Sequence, residues 1–202
     1  MILQRTYGKQ VWRLGVFVFL GVVGCLPESH VHDAKTLVSA KRVAVMPVVR
    51  PEGIADGGGQ AGVLMTELAA MDYYDVEGVG RFRRALKKAG EANDPALQQT
   101  VAEKLHLDAL GVCEVTDYRW TTSEKGAWYV VGTASWTECT YHVSVQIRLT
   151  SPDGKVLYTG RGTAESKEGY GPATLQATRK ALALLRNLTE KAKRDRKEAS
   201  GA

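Results

Sequence analysis

The chain has 202 residues and a formal net charge of +5, from 27 Lys and Arg against 22 Asp and Glu. Arg5, Lys9 and Arg13 supply three of those positive charges near the N-terminus with no acid beside them, which leaves the remainder almost balanced at about +2. The residual excess gathers at the extreme C-terminus, so the basic face that nucleic-acid binding requires is missing.

The same three basic residues form a positive n-region ahead of the apolar run 14–23, and small Gly24 precedes Cys25. A run of about ten apolar residues is too short to cross a hydrocarbon core about 30 Å thick as a helix, so the segment reads as a cleaved signal. Val22-Val23-Gly24-Cys25 reads as a lipobox: residues 1–24 are a lipoprotein signal peptide and Cys25 is the lipidated first residue of the mature chain. Leu26 stands where many inner-membrane lipoproteins carry a retaining aspartate, which points to the outer membrane, on its periplasmic side. Residues 25–40 are polar and without sustained periodicity, and read as a lipidated tether reaching about 50 Å at most. Within it His30 and His32 read as solvated linker residues, not metal ligands.

The domain opens at residues 41–48 with a short β-branched run suited to a buried strand, ended by Pro47. Gly57-Gly58-Gly59 then leads into a helix with Leu64, Met65, Leu68 and Met71 at helical spacing. Strand, glycine loop and helix invite a phosphate-binding reading, but no Gly-Lys-Ser/Thr or Gly-x-Gly-x-x-Gly accompanies them. A strand over 73–77 follows, then a helix with Val79, Phe82 and Leu86 inward and Arg83, Arg84, Lys87 and Lys88 on a solvated exterior. Asp94 as N-cap and Pro95 at the first helical position open the next helix, whose inward stripe is Leu97, Val101, Ala102 and Leu105. Residues 108–115 return as a strand, an order that implies parallel neighbours.

The C-terminal half changes character. Tyr141, Val143, Val145, Ile147 and Leu149 alternate with polar residues, the period of a strand with one buried face. Ser151-Pro152-Asp153-Gly154-Lys155 is a turn, and 156–164 the return strand of a hairpin. Pro172 starts a final helix with Leu175, Ala181, Leu182, Leu185 and Leu188 toward the sheet, and residues 191–202 read as a charged, fraying tail. The expected class is α/β: one three-layer domain over residues 41–190, its mixed sheet parallel in the N-terminal part, antiparallel at the C-terminal hairpin, and flanked by helices.

Trp120, Trp128, Tyr129 and Trp136 fall within 17 residues of a chain that has only four tryptophans. Aromatics are enriched at interface hot spots, which makes these four the candidate partner-binding residues. The competing reading puts Trp128, Val130 and Trp136 in the core, on an extra strand beneath the helices. Cys113 lies in an apolar run and reads as a buried small hydrophobe, with pairing to Cys139 left open because sequence does not give the separation of the two Cα atoms. No Gly-x-Ser-x-Gly elbow or His-Glu-x-x-His motif occurs, so no catalytic residue, metal or cofactor is assigned.

The opening strand Val43-Ala44-Val45-Met46-Pro47, the helix-to-strand passage 102–111 and the hairpin Ser151-Pro152-Asp153-Gly154-Lys155-Val156-Leu157 occur in an order that resembles the periplasmic lipoprotein group typified by CsgG, LpoB and the N-terminal domain of TolB. The resemblance implies a helix-flanked mixed sheet and a non-catalytic role in the envelope. The reading that fits the chain's size is an accessory or scaffold subunit of a secretion, surface-appendage or transport apparatus. Its partners would be the membrane, through the lipid anchor, and a protein of an envelope complex, with a homo-oligomer also compatible. Two alternatives stand beside it. An LpoB-like activator of peptidoglycan synthesis needs a long disordered tether, and a CsgG-like pore subunit needs two membrane hairpins where this chain has a single insertion, 120–138.

Overall fold

The computed structural model describes residues 29–46, 59–89, 95–129 and 132–201. Cys25 and the rest of the lipobox, Pro47 and Val48, Gly57 and Gly58, Asp94 and Val130 lie outside the described residues. The elements are β1 (His30–Val31), α1 (Ala34–Ser39), β2 (Arg42–Val45), α2 (Gln60–Ala69), β3 (Asp75–Glu77), α3 (Val79–Ala89), α4 (Pro95–Lys104), β4 (Ala109–Tyr129), β5 (Gly132–Thr150), β6 (Val156–Ser166), α5 (Tyr170–Ala181) and α6 (Ala183–Ser200). They form one mixed sheet in the order β1-β6-β5-β4-β2-β3. β2 runs parallel to β3 and β4, whereas β4, β5 and β6 form an antiparallel meander.

Alternation along the strands sends side chains to two cores. Ala44 and Leu110 meet Phe82 and Leu86 of α3 and Val101 and Ala102 of α4 on one face. Val43, Val45, Cys113, Val145, Ile147 and Leu149 meet α1, α2, α5 and α6 on the other. The architecture is the three-layer α/β arrangement expected from the sequence. On the α3/α4 side the β5–β6 surface carries Ser144, Gln146, Arg161 and Thr163 and faces water, as an antiparallel sheet allows.

The stripe read for the last helix holds at Ala181, Leu182 and Leu185, all fully buried, but not at Leu175 on α5. Leu175 is half-buried, and Ala173, Ala177 and Ala181 are the residues that reach the sheet. They do so over Gly160 and Gly162: a Cβ at Gly160 would stand 2.1 Å from the Ala181 carbonyl oxygen, and one at Gly162 would stand 2.0 Å from that of Ala177. Helix backbone therefore lies directly on strand backbone. The Tyr158 hydroxyl, fully buried, donates to the Ala181 carbonyl at the same crossing. Glu67 of α2, only 3% exposed, accepts from Arg179 Nε and Arg186 Nη2, each at 2.9 Å, and so joins α2 to α5 and α6.

Two terminal readings are corrected. The stretch read as free tether is folded from His30 onward: β1 pairs with β6, and α1 buries Leu37. Its signal is too short for periodicity, since one leucine and an Asp33 cap carry the whole turn. The C-terminal tail continues α6 to Ser200 and is docked, with Ala192 buried, Lys193 Nζ donating to the Met71 carbonyl at 2.6 Å and Arg196 to the Val38 carbonyl at 2.6 Å. Its charges hide that seat because they are the long side chains doing the docking. β3 starts at Asp75 because Tyr73 and Tyr74 turn inward, their hydroxyls on the Val38 and Leu37 carbonyls. Cys113 opposes Ile147 and Cys139 opposes Thr122, which separates the cysteines by about 26 Å along β5 and precludes a bridge within the chain. Burial pushes the Cys113 thiol up to about 12.

Gly162→Ala is expected to destabilise the domain by about 3 kcal/mol or more in chemical denaturation, because neither backbone has room to give. A change below about 0.5 kcal/mol would contradict the close seat of α5. At the other end of β6, Lys155 Nζ lies 2.5 Å from Asp33 and the Thr36 N–H donates to the same carboxylate, and both hold Asp33 well below the usual carboxylate range. A depressed native value stabilises above the unfolded value, near pH 4, and that contribution disappears as pH falls. The stability difference between the parent and Asp33→Asn should accordingly be full at pH 6 and shrink below about pH 4.

Candidate partner-binding site

β6 stops pairing with β5 at Tyr141↔Ser166, but β4 and β5 continue together to Tyr129↔Gly132. Beyond that point the sheet narrows to a two-stranded ribbon about 30 Å long. Its residues 121–126 and 132–137 are exposed. Trp120 is 60% exposed and Trp136 50%, which removes Trp136 from the core position that the competing sequence reading gave it. Trp128 and Tyr129 sit near the tip opposite Thr133 and Gly132, and their side chains lie outside the described ones.

The four aromatics do not converge on one surface. Directly opposed residues share a face, so Trp120 lies with Tyr141 on the helix side while Trp136 lies with Lys125 on the other. At the root of the ribbon three tyrosines that sequence reasoning passed over join Trp120's face. Tyr118 stacks on Tyr170 with centroids 3.6 Å apart and a 17° tilt, and Tyr141 meets Tyr170 edge-on at 4.7 Å. Burial pushes the Tyr118 and Tyr170 phenols up, so both stay neutral. Beside them is a pocket of about 160 Å³ lined by Gly59, Gln60, Tyr118, Tyr170 and Thr174. Gln60 is 5% exposed, and its Oε1 has no hydrogen-bond partner.

On the opposite face a polar cleft of about 510 Å³ is lined by Asp117, Arg119, His142, Ser144, Thr163 and Glu165. His142 bridges the three strands there, with Nε2 3.0 Å from the Thr121 hydroxyl and Nδ1 3.0 Å from Glu165. The hydrogen-bonded trio stands in a cleft open to water. Its evident effect is structural: with the Lys167–Glu138 pair at 2.9 Å, it ties the ribbon root to β6. Among the described residues no group of three or more His, Cys, Asp or Glu is placed to hold a metal, and no helix is long and apolar enough to cross a membrane. His32 instead contacts the Thr159 hydroxyl at 3.1 Å.

No protein-family model and no curated protein matches this sequence. Among solved structures, the chain is similar to PelC of Paraburkholderia phytofirmans, solved as a dodecamer, at 17% identity and a TM-score of 0.52 over 79% of this chain and 98% of that one. A second PelC dodecamer gives 16% identity and the same TM-score of 0.52. The lipoprotein GNA1162 from Neisseria meningitidis follows at 19% identity and a TM-score of 0.43, covering 62% of this chain and 83% of that one. The PelC likeness is one of fold.

Replacing Trp136 with alanine should leave the stability of the full chain within about 0.5 kcal/mol of the parent, since the side chain stands in solvent. A loss of about 3 kcal/mol, the cost of emptying a core, would return it to the interior.

Proposed function

We propose that this chain is an outer-membrane-anchored periplasmic lipoprotein that acts, without catalysis, as an accessory or scaffold subunit of an envelope secretion, surface-appendage or transport apparatus. The observation that carries the reading is the ribbon: a two-stranded arm with exposed tryptophans and, among the described residues, no third strand is built to be completed by another protein. The lipobox at Cys25 supports the anchor, and a fold shared with the dodecameric PelC supports membership of an assembly.

The geometry also bears on the two alternatives. With His30 already paired in β1, only residues 26–29 separate Cys25 from the folded domain, a reach of about 14 Å. So short a leash disfavours an LpoB-like activator working across the periplasm. β1 meets Thr159, which opposes Arg148, and the ribbon tip lies about 50 Å further along β5. The arm thus leaves the domain at the end remote from the anchor, whereas a CsgG-like pore subunit must return its hairpins to that membrane.

Cys25→Ala should abolish lipid labelling and release the chain from the membrane fraction, because a two- or three-chain anchor holds firmly where one chain is marginal. Retention in membranes without any labelling of the parent would contradict the anchored reading.

A further inference from the structure

Cys25 stands four residues before Ser29, a reach of about 14 Å. Ser29 Oγ lies 3.5 Å from the Ala181 carbonyl oxygen, at the bend where α5 passes into α6. A lipid anchor on so short a tether holds this bend beside the bilayer, and a face of the domain must meet the surface there. Among the described residues the exposed large hydrophobics are Trp120, Trp136 and Leu184. The two tryptophans belong to the ribbon, whereas Leu184, 39% exposed, is about 4.5 Å along the helix from Ala181. Leu182, the one residue between the two helices, stays in the right-handed helical region, so helical spacing carries across the bend. Lys180, Leu184, Leu188 and Lys191 recur at that spacing, an apolar pair with a cation at each end. Leu188 leads into an apolar groove of about 440 Å³ between α1 and α6, lined also by Val38 and Ala192. Charge points the same way, since residues 169–189 contain no Asp or Glu against Arg179, Lys180 and Arg186. Buried Glu67 takes both arginines and offsets one of their two charges. Lys180 donates to the Thr163 carbonyl at 2.9 Å and has no carboxylate partner among the described residues. Glu190 pairs with Lys193, and Asp195 stands with Arg196 at the far end of the groove, so the bend stays cationic.

We propose that the α5–α6 bend docks on the anionic phospholipid leaflet that holds the anchor, with Leu184 and Leu188 entering the boundary between headgroups and acyl chains and Lys180 and Lys191 meeting lipid phosphates. An apolar stripe flanked by cations is the pattern of a helix lying in a membrane interface. The contact rests on the anchored reading of Cys25 and adds an orientation to it. A tether alone leaves the domain free to turn, whereas docking fixes the bend on the membrane and sets the ribbon root, at the Tyr170 end of α5, about 17 Å along that helix from it.

The test uses the chain as cells process it, reconstituted into vesicles of phosphatidylethanolamine and phosphatidylglycerol, with a photoreactive phenylalanine at position 184 or, in a separate sample, at position 125 on the ribbon. Illumination is expected to give a phospholipid adduct at 184, told by its mass from the chain's own acyl groups, and none at 125. Vesicles of phosphatidylcholine alone, or Lys180→Glu in the anionic vesicles, should each lower the adduct yield at 184 about fivefold or more. The neutral vesicles need no further substitution and decide the electrostatic part if Lys180→Glu folds poorly. Equal lipid adducts at 184 and 125, a yield indifferent to phosphatidylglycerol, or a protein adduct at 184 in place of lipid overturns the proposal. So does a lipid-labelled Cys25 with no phospholipid adduct at 184, a result that leaves the anchor itself standing. A chain without lipid at Cys25 overturns both.

Discussion

Gly160 and Gly162 leave β6 bare where α5 crosses it, and the helix backbone settles onto the strand at a distance that no side chain permits. The position of α5 is thereby fixed by backbone contact, and its first residue, Tyr170, is delivered onto Tyr118 and Tyr141. Glu67 adds a second constraint by drawing Arg179 and Arg186 to one buried carboxylate, which locks α2 against the same helix. Gln60 opens α2, so the pocket at the ribbon root is a consequence of where these two helices meet the sheet. Core packing and the candidate site share one cause.

The ribbon begins where that support ends. β6 leaves the sheet after Ser166 and β2 pairs with β4 only as far as Gly111, so among the described residues the outer half of β4 and β5 has no third strand beside it. An isolated two-stranded hairpin is marginal in water, and its two edges carry unpaired backbone groups. The His142 bridge and the Lys167–Glu138 pair fasten its base, but nothing comparable is found among the described residues further out. Threonine, serine, Glu124 and Lys125 make the arm polar, and Trp136 stands half exposed on it.

Much of the scaffold was legible. The alternation from Tyr141 to Leu149, the Ser151–Lys155 turn and the stripe Val79–Phe82–Leu86 are periodic signals long enough to survive tertiary context, and each element formed as read. What failed had a local cause. α1 and β1 are too short to show a period. The docked end of α6 is held by long cationic side chains that resemble a solvated tail. Ala173 and Ala177 join Ala181 on the inward face of α5 because glycines face that helix across the sheet, which a helix read alone does not show. At the site, the tryptophans were conspicuous as a cluster, but the division of Trp120 from Trp136 depends on which residues oppose each other in the β4–β5 hairpin, a register invisible in composition. Gln60, Tyr118, Tyr141 and Tyr170 are far apart in sequence and meet only through the α5 contact. Each looked like an ordinary residue of its own element.

The central claim is that the ribbon is an arm completed by association and not by the domain itself. Hydrogen–deuterium exchange on the full chain, compared at high and low concentration, reads this directly. The account expects backbone amides of residues 121–129 and 132–140 to be protected at high concentration and to exchange rapidly on dilution, while residues 143–149 of the same strand stay protected throughout. Equal and strong protection of the ribbon at all concentrations would mean that it is stable alone, and would contradict the claim.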